Sequence, residues 1–265
     1  MYDKYEFTEN NPGLIIILID QSGSMNDAYN ESTKAGAAAR AVNECIYELM
    51  TLSKSKKRGL RPKMQVGVFG YQDGGVKLIV GGKPAVVMSH PDKPDWVRTV
   101  IMVNGKEEKI AKGGTPMHLA FDKASEMIEK SWRPHFPDSF PPIVINISDG
   151  IPDDEPMAKK AADHLTSLAT SDGKVLLFNA HIAETNEPAV EFPIDPPRDS
   201  HARFLFEISS VMPAPMVEAA QKAKINTGPG ARGFVFNARA QRMSALLTIG
   251  SLSNVQAGRP AAERT

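Results

Sequence analysis

The sequence has little of several features that would assign it to a special class. It has one cysteine, Cys45, in 265 residues, which excludes an intramolecular disulfide framework. It has no excess of charge, because 31 Lys and Arg balance 31 Asp and Glu, so a nucleic acid is a poor candidate for its main partner. The longest aliphatic run, at 14–19, is far below the roughly 20 residues that cross a bilayer, and no membrane insertion is expected. The first residues, MYDKYEFTENNPG, contain no apolar secretory core, and we therefore expect a cytoplasmic protein.

What the sequence does contain is an alternation of short apolar runs with longer amphipathic segments. The apolar runs, which we interpret as strands, are at 14–19, 64–71, 76–80, 143–147, 175–182 and 233–236. The amphipathic segments, which we interpret as helices, are at 33–53, 116–131 and 156–170, with a short one at 202–209 and a final one that ends near Ile249. Leu119 should lie on the inner face of the helix at 116–131.

This alternation predicts a doubly wound, Rossmann-like α/β fold. A mostly parallel central sheet of about six strands should have helices on both faces. Residues 72–75 form a connection that is too short for parallel neighbours, so one edge strand should be antiparallel.

One segment, at 81–112, interrupts the alternation. The dipeptide Asn104-Gly105 within it lies between two strand-like runs and is the strongest signal for a two-residue hairpin turn. We therefore expect a hairpin inserted into the domain at 99–110. The predicted organisation is an N-terminal arm at 1–13, one domain at 14–252 that includes the insert, and a flexible C-terminal tail at 253–265.

Two of the apolar strands are followed by carboxylates, Asp20 and Asp149. The carboxyl ends of parallel strands meet at one edge of a sheet, where open α/β folds bind ligands. Ser22 and Ser24 alternate with Asp20 in a short loop, and Gly23 lets that loop bend, so three oxygen atoms can converge. Hydroxyl and carboxylate oxygens together with water suit Mg²⁺, which prefers octahedral oxygen coordination.

At these residues the chain resembles the von Willebrand factor A domains, whose metal ion-dependent adhesion site combines D-x-S-x-S with a distant Thr and a distant Asp. Here DQSGS at 20–24, Thr115 within GGTPM and Asp149 within ISDG follow in that order. The resemblance extends over about 14–249 and implies that Asp20 helps to hold the metal, with Ser22 and Ser24 as direct ligands. It implies that Thr115 binds directly or through water and that Asp149 acts through water. The set GGTPM, PPIVINISDG and GFVFNA is similar to stand-alone bacterial members of the family.

The resemblance implies a metal-dependent protein-protein interaction module, in which an Asp or Glu of a partner protein completes the coordination of Mg²⁺, or alternatively of Mn²⁺ or Ca²⁺. Two carboxylates balance a divalent ion and only one is expected to touch it, so the ion stays electrophilic toward a third carboxylate. We assign the partner-binding rim to Gln21, Met25, His118, Asp153 and Asp154. The two rim aspartates precede a helix, and are therefore also candidates for its cap.

Two alternatives remain beside this interpretation. Asp20, Ser22 and Ser24 are also residue types common in turns and helix caps. A magnesium-dependent phosphoryl-transfer enzyme similar to the haloacid dehalogenase phosphatases would also place an acid after a buried strand. The nucleophile motif of those enzymes is D-x-D. Here Ser22 stands where the second Asp would be, and a serine cannot act as the general acid. We therefore expect a binding module that is not an enzyme.

Overall fold

The computed structural model describes Tyr2 and residues 7–150, 152–183 and 188–237. Its strands are, in chain order, β1 (Gly13–Asp20), β2 (Ala28–Tyr29), β3 (Ser32–Thr33), β4 (Lys54–Ser55), β5 (Gly59–Leu60), β6 (Met64–Gln72), β7 (Gly75–Gly82), β8 (Val100–Val103), β9 (Lys106–Lys109), β10 (Ile143–Ser148), β11 (Leu176–His181), β12 (Val190–Glu191) and β13 (Phe234–Phe236). Its α-helices are α1 (Lys34–Leu52), α2 (Pro84–Met88), α3 (Met117–Glu126), α4 (Glu155–Ser167), α5 (Ser200–Ile208) and α6 (Ala214–Lys222). A 3-10 turn covers Gly23–Asn26, and a π-helix at Met127–Trp132 continues α3. The predicted final helix near Ile249 and the predicted tail at 253–265 lie outside the described residues.

Seven strands form one sheet in the order β12-β13-β11-β10-β1-β6-β7. The pairs between β13 and β6 are all parallel, and β7 runs antiparallel to β6 at one edge. The predicted fold class is therefore confirmed. The chain passes from β1 to β6 on one side and later returns to β10 on the other, so the topology switches direction between β1 and β10. Asp20 ends β1 and Asp149 follows β10, which places both carboxylates at the position where such sheets bind ligands.

Strand β1 separates two hydrophobic cores, because successive side chains of a strand point to opposite faces. Ile15, Ile17 and Ile19 face the core that contains residues of α1 and α6, whereas Leu14, Ile16 and Leu18 face the core that contains residues of α3, α4 and α5. Every residue of β1 is buried. Burial on both faces explains why the sequence of this strand is continuously apolar instead of alternating.

The insert at 81–112 contains the predicted hairpin. Strands β8 and β9 pair with Val103 opposite Lys106, and the turn residues Asn104 and Gly105 have φ values of 50° and 76°. The hairpin forms a two-stranded sheet of its own. The base of the insert also contains α2, which the sequence analysis did not predict, and Trp96, which is 3% exposed and packs in the core with α1.

Three details of the sequence analysis differ from the structure. The sheet has seven strands and not six, because β12 pairs antiparallel with β13 in a segment that has only two residues in strand conformation. Helix α6 was not predicted. Leu119 is 40% exposed, because the buried stripe of α3 begins at Met117 and continues through Ala120, Phe121 and Ala124, so a residue two positions after Met117 faces away from it.

The N-terminal arm at 1–13 is described only in part. Phe7 is fully buried, and a Cβ on Gly13 would lie only 2.2 Å from its ring. Glycine at position 13 therefore permits this packing at the first residue of β1. No described helix has the length and apolar character needed to span a membrane.

Candidate metal centre

Asp20 is the most deeply buried acid of the candidate site, with no exposed surface. Its Oδ1 accepts a hydrogen bond from the amide of Ser22 (2.8 Å), and its Oδ2 accepts one from the hydroxyl of Ser148 (2.8 Å). Burial raises the pKa of the Asp20 carboxyl to about 6, with a smaller contribution from the charge of Asp149, although its hydrogen bonds lower the pKa. The nearby positive charge of a cation would favour the ionised form of this carboxyl.

The two serines of the motif lie beside this carboxylate. Ser22 is 2% exposed whereas Ser24 is exposed, and their hydroxyl oxygens are 3.1 Å apart. The predicted convergence of these two hydroxyls is therefore observed. Met25 has no exposed surface, because the 3-10 turn directs it into the core with α1. The prediction that Met25 belongs to the partner-binding rim is wrong for this reason.

Thr115 is held in place by Asp153. The amide of Thr115 donates to Asp153 Oδ1 (2.8 Å), and the carbonyl of Thr115 accepts from the amide of Asp153 (3.0 Å). Thr115 is 6% exposed, and the carboxylate of Asp153 lies so close to Gly114 that a Cβ there would be 2.6 Å from Oδ2. Asp154 has the cap role considered above, since its Oδ1 accepts from the amide of Met157 (2.8 Å).

Asp149 forms an ion pair that the sequence analysis did not foresee. The ammonium group of Lys34 lies 3.2 Å from Asp149 Oδ2 and 3.3 Å from Asp27 Oδ2. The side chains of Lys34 and Asp149 are only 12% and 8% exposed. A lysine in the first turn of a helix is unfavourable with respect to the helix dipole, and the two carboxylates offset that effect for Lys34 at the start of α1.

A chain of buried polar side chains extends from the site across the sheet. The hydroxyl of Tyr71 donates to Asn146 Oδ1 (2.9 Å), and Asn146 Nδ2 donates to Asn179 Oδ1 (3.0 Å). Asn179 Nδ2 donates in turn to the hydroxyl of Ser209 (2.9 Å). These residues lie on β6, β10, β11 and the end of α5, so hydrogen bonds connect the strands beneath the site. Sequence reasoning missed this network.

Two histidines lie near the site. His181 stacks on Phe236 with ring centroids 5.4 Å apart, and burial lowers the pKa of His181 to about 4. It packs against Gly150, where a Cβ would lie 2.9 Å from its ring. His118, which was assigned to the rim, is half-buried, and in the described part of the chain its buried Nδ1 has no hydrogen-bond partner.

The described residues contain no group of three or more His, Cys, Asp and Glu side chains that could hold a metal ion. The predicted ligand set has a different composition, with three hydroxyls and two carboxylates. Hydrogen bonds join Asp20 to Ser22 and Ser22 to Ser24. A third joins Asp20 to Ser148, the residue before Asp149. This set of hard oxygen donors around a buried carboxylate fits a divalent cation of the Mg²⁺ type.

Three solved structures illustrate what this chain is similar to. The pilus adhesin SpaC from Lactobacillus rhamnosus GG matches with a TM-score of 0.57 and 12% identity, over 93% of this chain and 31% of SpaC. Proximal thread matrix protein 1 from the mussel byssus matches with a TM-score of 0.50 and 17% identity, over 92% of this chain and 48% of that protein. The manganese-loaded Plasmodium vivax TRAP protein matches with a TM-score of 0.48 and 15% identity, over 90% of this chain and 72% of that protein. At these identities the likeness to the first two proteins shows the fold alone, and this chain spans less than half of each.

No protein of curated function matches the chain significantly. The sequence pattern of the von Willebrand factor type A domain matches residues 15–151, which is more than half of the chain and extends from β1 to beyond Asp149. Together with the confirmed sheet topology, this match shows that the chain belongs to the von Willebrand factor type A domain family.

Proposed function

We propose that this chain is a metal-dependent protein interaction module, in which a divalent cation at the carboxyl ends of β1 and β10 binds an acidic side chain of a partner protein. Domains of this family commonly mediate protein-protein interaction and metal-dependent adhesion. The observation that carries the proposal is the fully buried carboxylate of Asp20 beside the converging hydroxyls of Ser22 and Ser24.

In the proposed site Ser22 and Ser24 bind the ion directly, and Asp20 helps to hold it. Thr115 binds directly or through water, and Asp149 acts through water. The ion is Mg²⁺, with Mn²⁺ and Ca²⁺ as alternatives. When bound, it supplies an electrophilic position for an oxygen atom of the partner. Asp153 has a supporting role, because its hydrogen bonds with the backbone of Thr115 fix the segment that carries the threonine.

The buried charges of the site favour an acidic partner. Asp20 and Asp149 carry negative charge, and the ammonium group of Lys34 offsets one of these charges through its contact with Asp149. A divalent ion added to these three groups gives a net positive centre that a carboxylate of a partner neutralises, and the more exposed Asp27 and Asp153 lie at its edge. The predicted rim would also include Gln21, which is partly exposed beside Asp20.

The proposal is tested by thermal unfolding and calorimetric titration with MgCl₂, compared with EDTA. Wild type should gain stability in Mg²⁺, because an ion that binds only the folded state stabilises it. Asp20→Ala should show no gain and no titration heat. Asp163→Ala is the matched control, because Asp163 lies on the exposed face of α4 and pairs with Lys159 at 3.2 Å, and it should respond to Mg²⁺ as wild type does. A full Mg²⁺ response in Asp20→Ala would refute the site.

The partner side of the proposal needs a second experiment. Once a bound protein has been isolated, replacing its candidate Asp or Glu by the amide should remove most of the affinity, because a charged ligand is exchanged for a neutral one. Chelation by EDTA and Asp20→Ala should have the same effect. A partner that binds equally well in EDTA would refute metal-dependent binding.

We also propose that the chain is not an enzyme. Both oxygens of Asp20 accept hydrogen bonds from its own chain, which disfavours a role as nucleophile in phosphoryl transfer. A screen for phosphate release from common phosphoesters in Mg²⁺ tests this, and a turnover that Asp20→Asn abolishes would favour the phosphatase alternative. A cytoplasmic location and the stand-alone bacterial type stay predictions.

A further inference from the structure

A groove of about 410 Å³ lies between the insert and the edge strand β7. It is lined by Lys77 and Ile79 of β7, by Ile101 and Glu108 of the hairpin, and by Trp96. Trp96 is buried and donates from its indole nitrogen to the carbonyl of Val87 in α2 (3.2 Å). The base of the groove is therefore anchored to the domain.

The groove is continuous with the loop of the candidate metal centre. Gln21, the residue between Asp20 and Ser22, lines it together with Lys112, and the amide of Lys112 donates to the carbonyl of Gln21 (2.8 Å). The amide of Gly23 donates to the carbonyl of Gly113 (2.8 Å). The end of the insert is thus hydrogen-bonded along the loop, and a segment bound at the metal would continue into the groove.

The groove carries an excess of positive charge in a chain that is neutral as a whole. Its lining includes four cationic side chains and two carboxylates, namely Lys77, Arg98, Lys109, Lys112, Asp92 and Glu108. Arg98 is paired with Asp92. For the three lysines, no carboxylate of the described residues lies within ion-pair distance of the ammonium group. These three charges are therefore available to an anionic group.

The walls of the groove also expose aliphatic surface. Ile101 is 46% exposed and Ile79 is half-buried, and both line the groove. Single exposed apolar residues are normal on protein surfaces, but two aliphatic residues that line one groove, beside lysines that have no ion pair in the described part of the chain, indicate a combined chemistry. An aliphatic side chain between acidic ones would contact both kinds of surface.

We propose that this groove binds an acidic segment of the same partner whose carboxylate is the metal ligand, with an aliphatic side chain against Ile79 and Ile101 and further carboxylates against Lys77 and Lys112. The proposal rests on the proposed function and adds the chemistry that selects the partner. Association should weaken with salt, because exposed charges are screened.

Random peptides displayed on phage are the probe. Peptides are selected on the intact chain in Mg²⁺ and synthesised with a fluorescent label, and their affinities are measured by anisotropy. The groove variant is Lys77→Glu with Lys112→Glu, both at exposed residues that line the groove. The control is Lys56→Glu with Lys57→Glu, which makes the same charge change at exposed residues near the other end of α1. Thermal unfolding with and without Mg²⁺ shows whether each variant is folded and binds the ion.

Selected peptides should carry two or more acidic side chains next to an aliphatic one. The groove variant should bind them about tenfold more weakly or worse, while the control binds as wild type and both variants keep the Mg²⁺ response. Equal affinity for the groove variant and the control would overturn the groove proposal and leave the metal-dependent function standing if EDTA still abolishes binding. A selection without acidic peptides would also overturn it. Binding that survives EDTA but is lost in the groove variant would instead refute the proposed function, and with it the shared segment.

Discussion

Replacing Lys34 by methionine should have opposite effects on the metal-free and the metal-bound protein. The ammonium group of Lys34 is 3.2 Å from Asp149 Oδ2, and both side chains are nearly buried. Without metal, Lys34 compensates the charge of Asp149. With metal, the same ammonium group repels the cation. The substitution to methionine keeps the length of the side chain and removes only the charge and its hydrogen bonds.

The magnitudes follow from burial and distance. Removing one partner of a buried ion pair costs about 3–5 kcal/mol, and an exposed pair contributes about 0–1 kcal/mol. The pair of Lys34 and Asp149 borders solvent on the site's open side, so about 2 kcal/mol is a reasonable intermediate cost, equal to a decrease in Tm of about 4–8 °C. For the metal, Coulomb's law in water gives about 1.4 kcal/mol of repulsion between an ammonium group and a divalent ion about 6 Å apart. Magnesium should therefore bind about tenfold more tightly or better to Lys34→Met.

The assay combines thermal unfolding in EDTA with calorimetric titration of Mg²⁺. Lys159→Met is the matched control, because Lys159 pairs with Asp163 at 3.2 Å but both side chains are more than half exposed. It should change neither the Tm in EDTA nor the affinity for Mg²⁺. If Lys34→Met bound Mg²⁺ with equal or lower affinity while its Tm in EDTA decreased, Lys34 would hold Asp149 in position for the ion, and the repulsion argument would be refuted.

Three further predictions concern the groups around Asp20. Burial raises the pKa of Asp20 to about 6 in the folded protein, above the ordinary value of 3.8, so the ionised carboxyl lowers stability by on the order of 3 kcal/mol above pH 6 in the metal-free protein. Unfolding in EDTA should therefore show stability rising as pH falls from about 7 to about 4. Asp20→Asn should be more stable at neutral pH and lose this dependence, and an unchanged profile would contradict the burial argument. Asn146→Ala removes the acceptor of the Tyr71 hydroxyl and the donor to the side-chain oxygen of Asn179. It should cost about 3 kcal/mol, measured by urea unfolding, and a midpoint like that of wild type would show that the network contributes nothing. Gly114→Ala places a Cβ 2.6 Å from Asp153 Oδ2 and 2.7 Å from Asp73 Oδ1. It should reduce the stabilisation by Mg²⁺ more than the stability in EDTA, and equal reductions would show that these two carboxylates support the fold and not the metal site.

The sheet and its helices were predictable because their signals are local. The continuous apolar run of β1 and the turn at Asn104-Gly105 each lie within a few residues, and each is decided by burial or by backbone conformation. The features that were predicted wrongly or not at all lack such a clear local signal. Strand β12 has only two residues, which is too few to show a period. Leu119 was placed on the wrong face because the start of the buried stripe at Met117 was not recognised.

The candidate site likewise has residues that a local motif predicts and residues that only long-range contacts reveal. Asp20, Ser22 and Ser24 stand in one short motif, and their convergence could be inferred from spacing alone. Lys34 and Ser148 could not be found in this way. Lys34 meets Asp149 across 115 residues of chain, and Ser148 meets Asp20 across 128. Such contacts depend on strand order, which the alternation of elements constrains but does not determine. A buried carboxylate does indicate that hydrogen-bond donors must lie nearby, and that signal could have directed attention to Ser148.

Metal coordination by itself offers little discrimination between partners, because nearly every protein exposes carboxylates on its surface. Specificity requires interactions that disfavour the wrong partner as well as those that favour the right one. The unpaired lysines beside the metal loop meet this requirement in the proposed groove, since they repel a segment whose carboxylate is followed by basic residues and attract one that is acidic throughout. Because Lys112 is hydrogen-bonded directly to Gln21, this selection acts on the residues of the partner next to its metal ligand. The discrimination between acidic and basic segments should therefore decrease at high salt, while the requirement for the ion, whose ligands are largely buried, should persist.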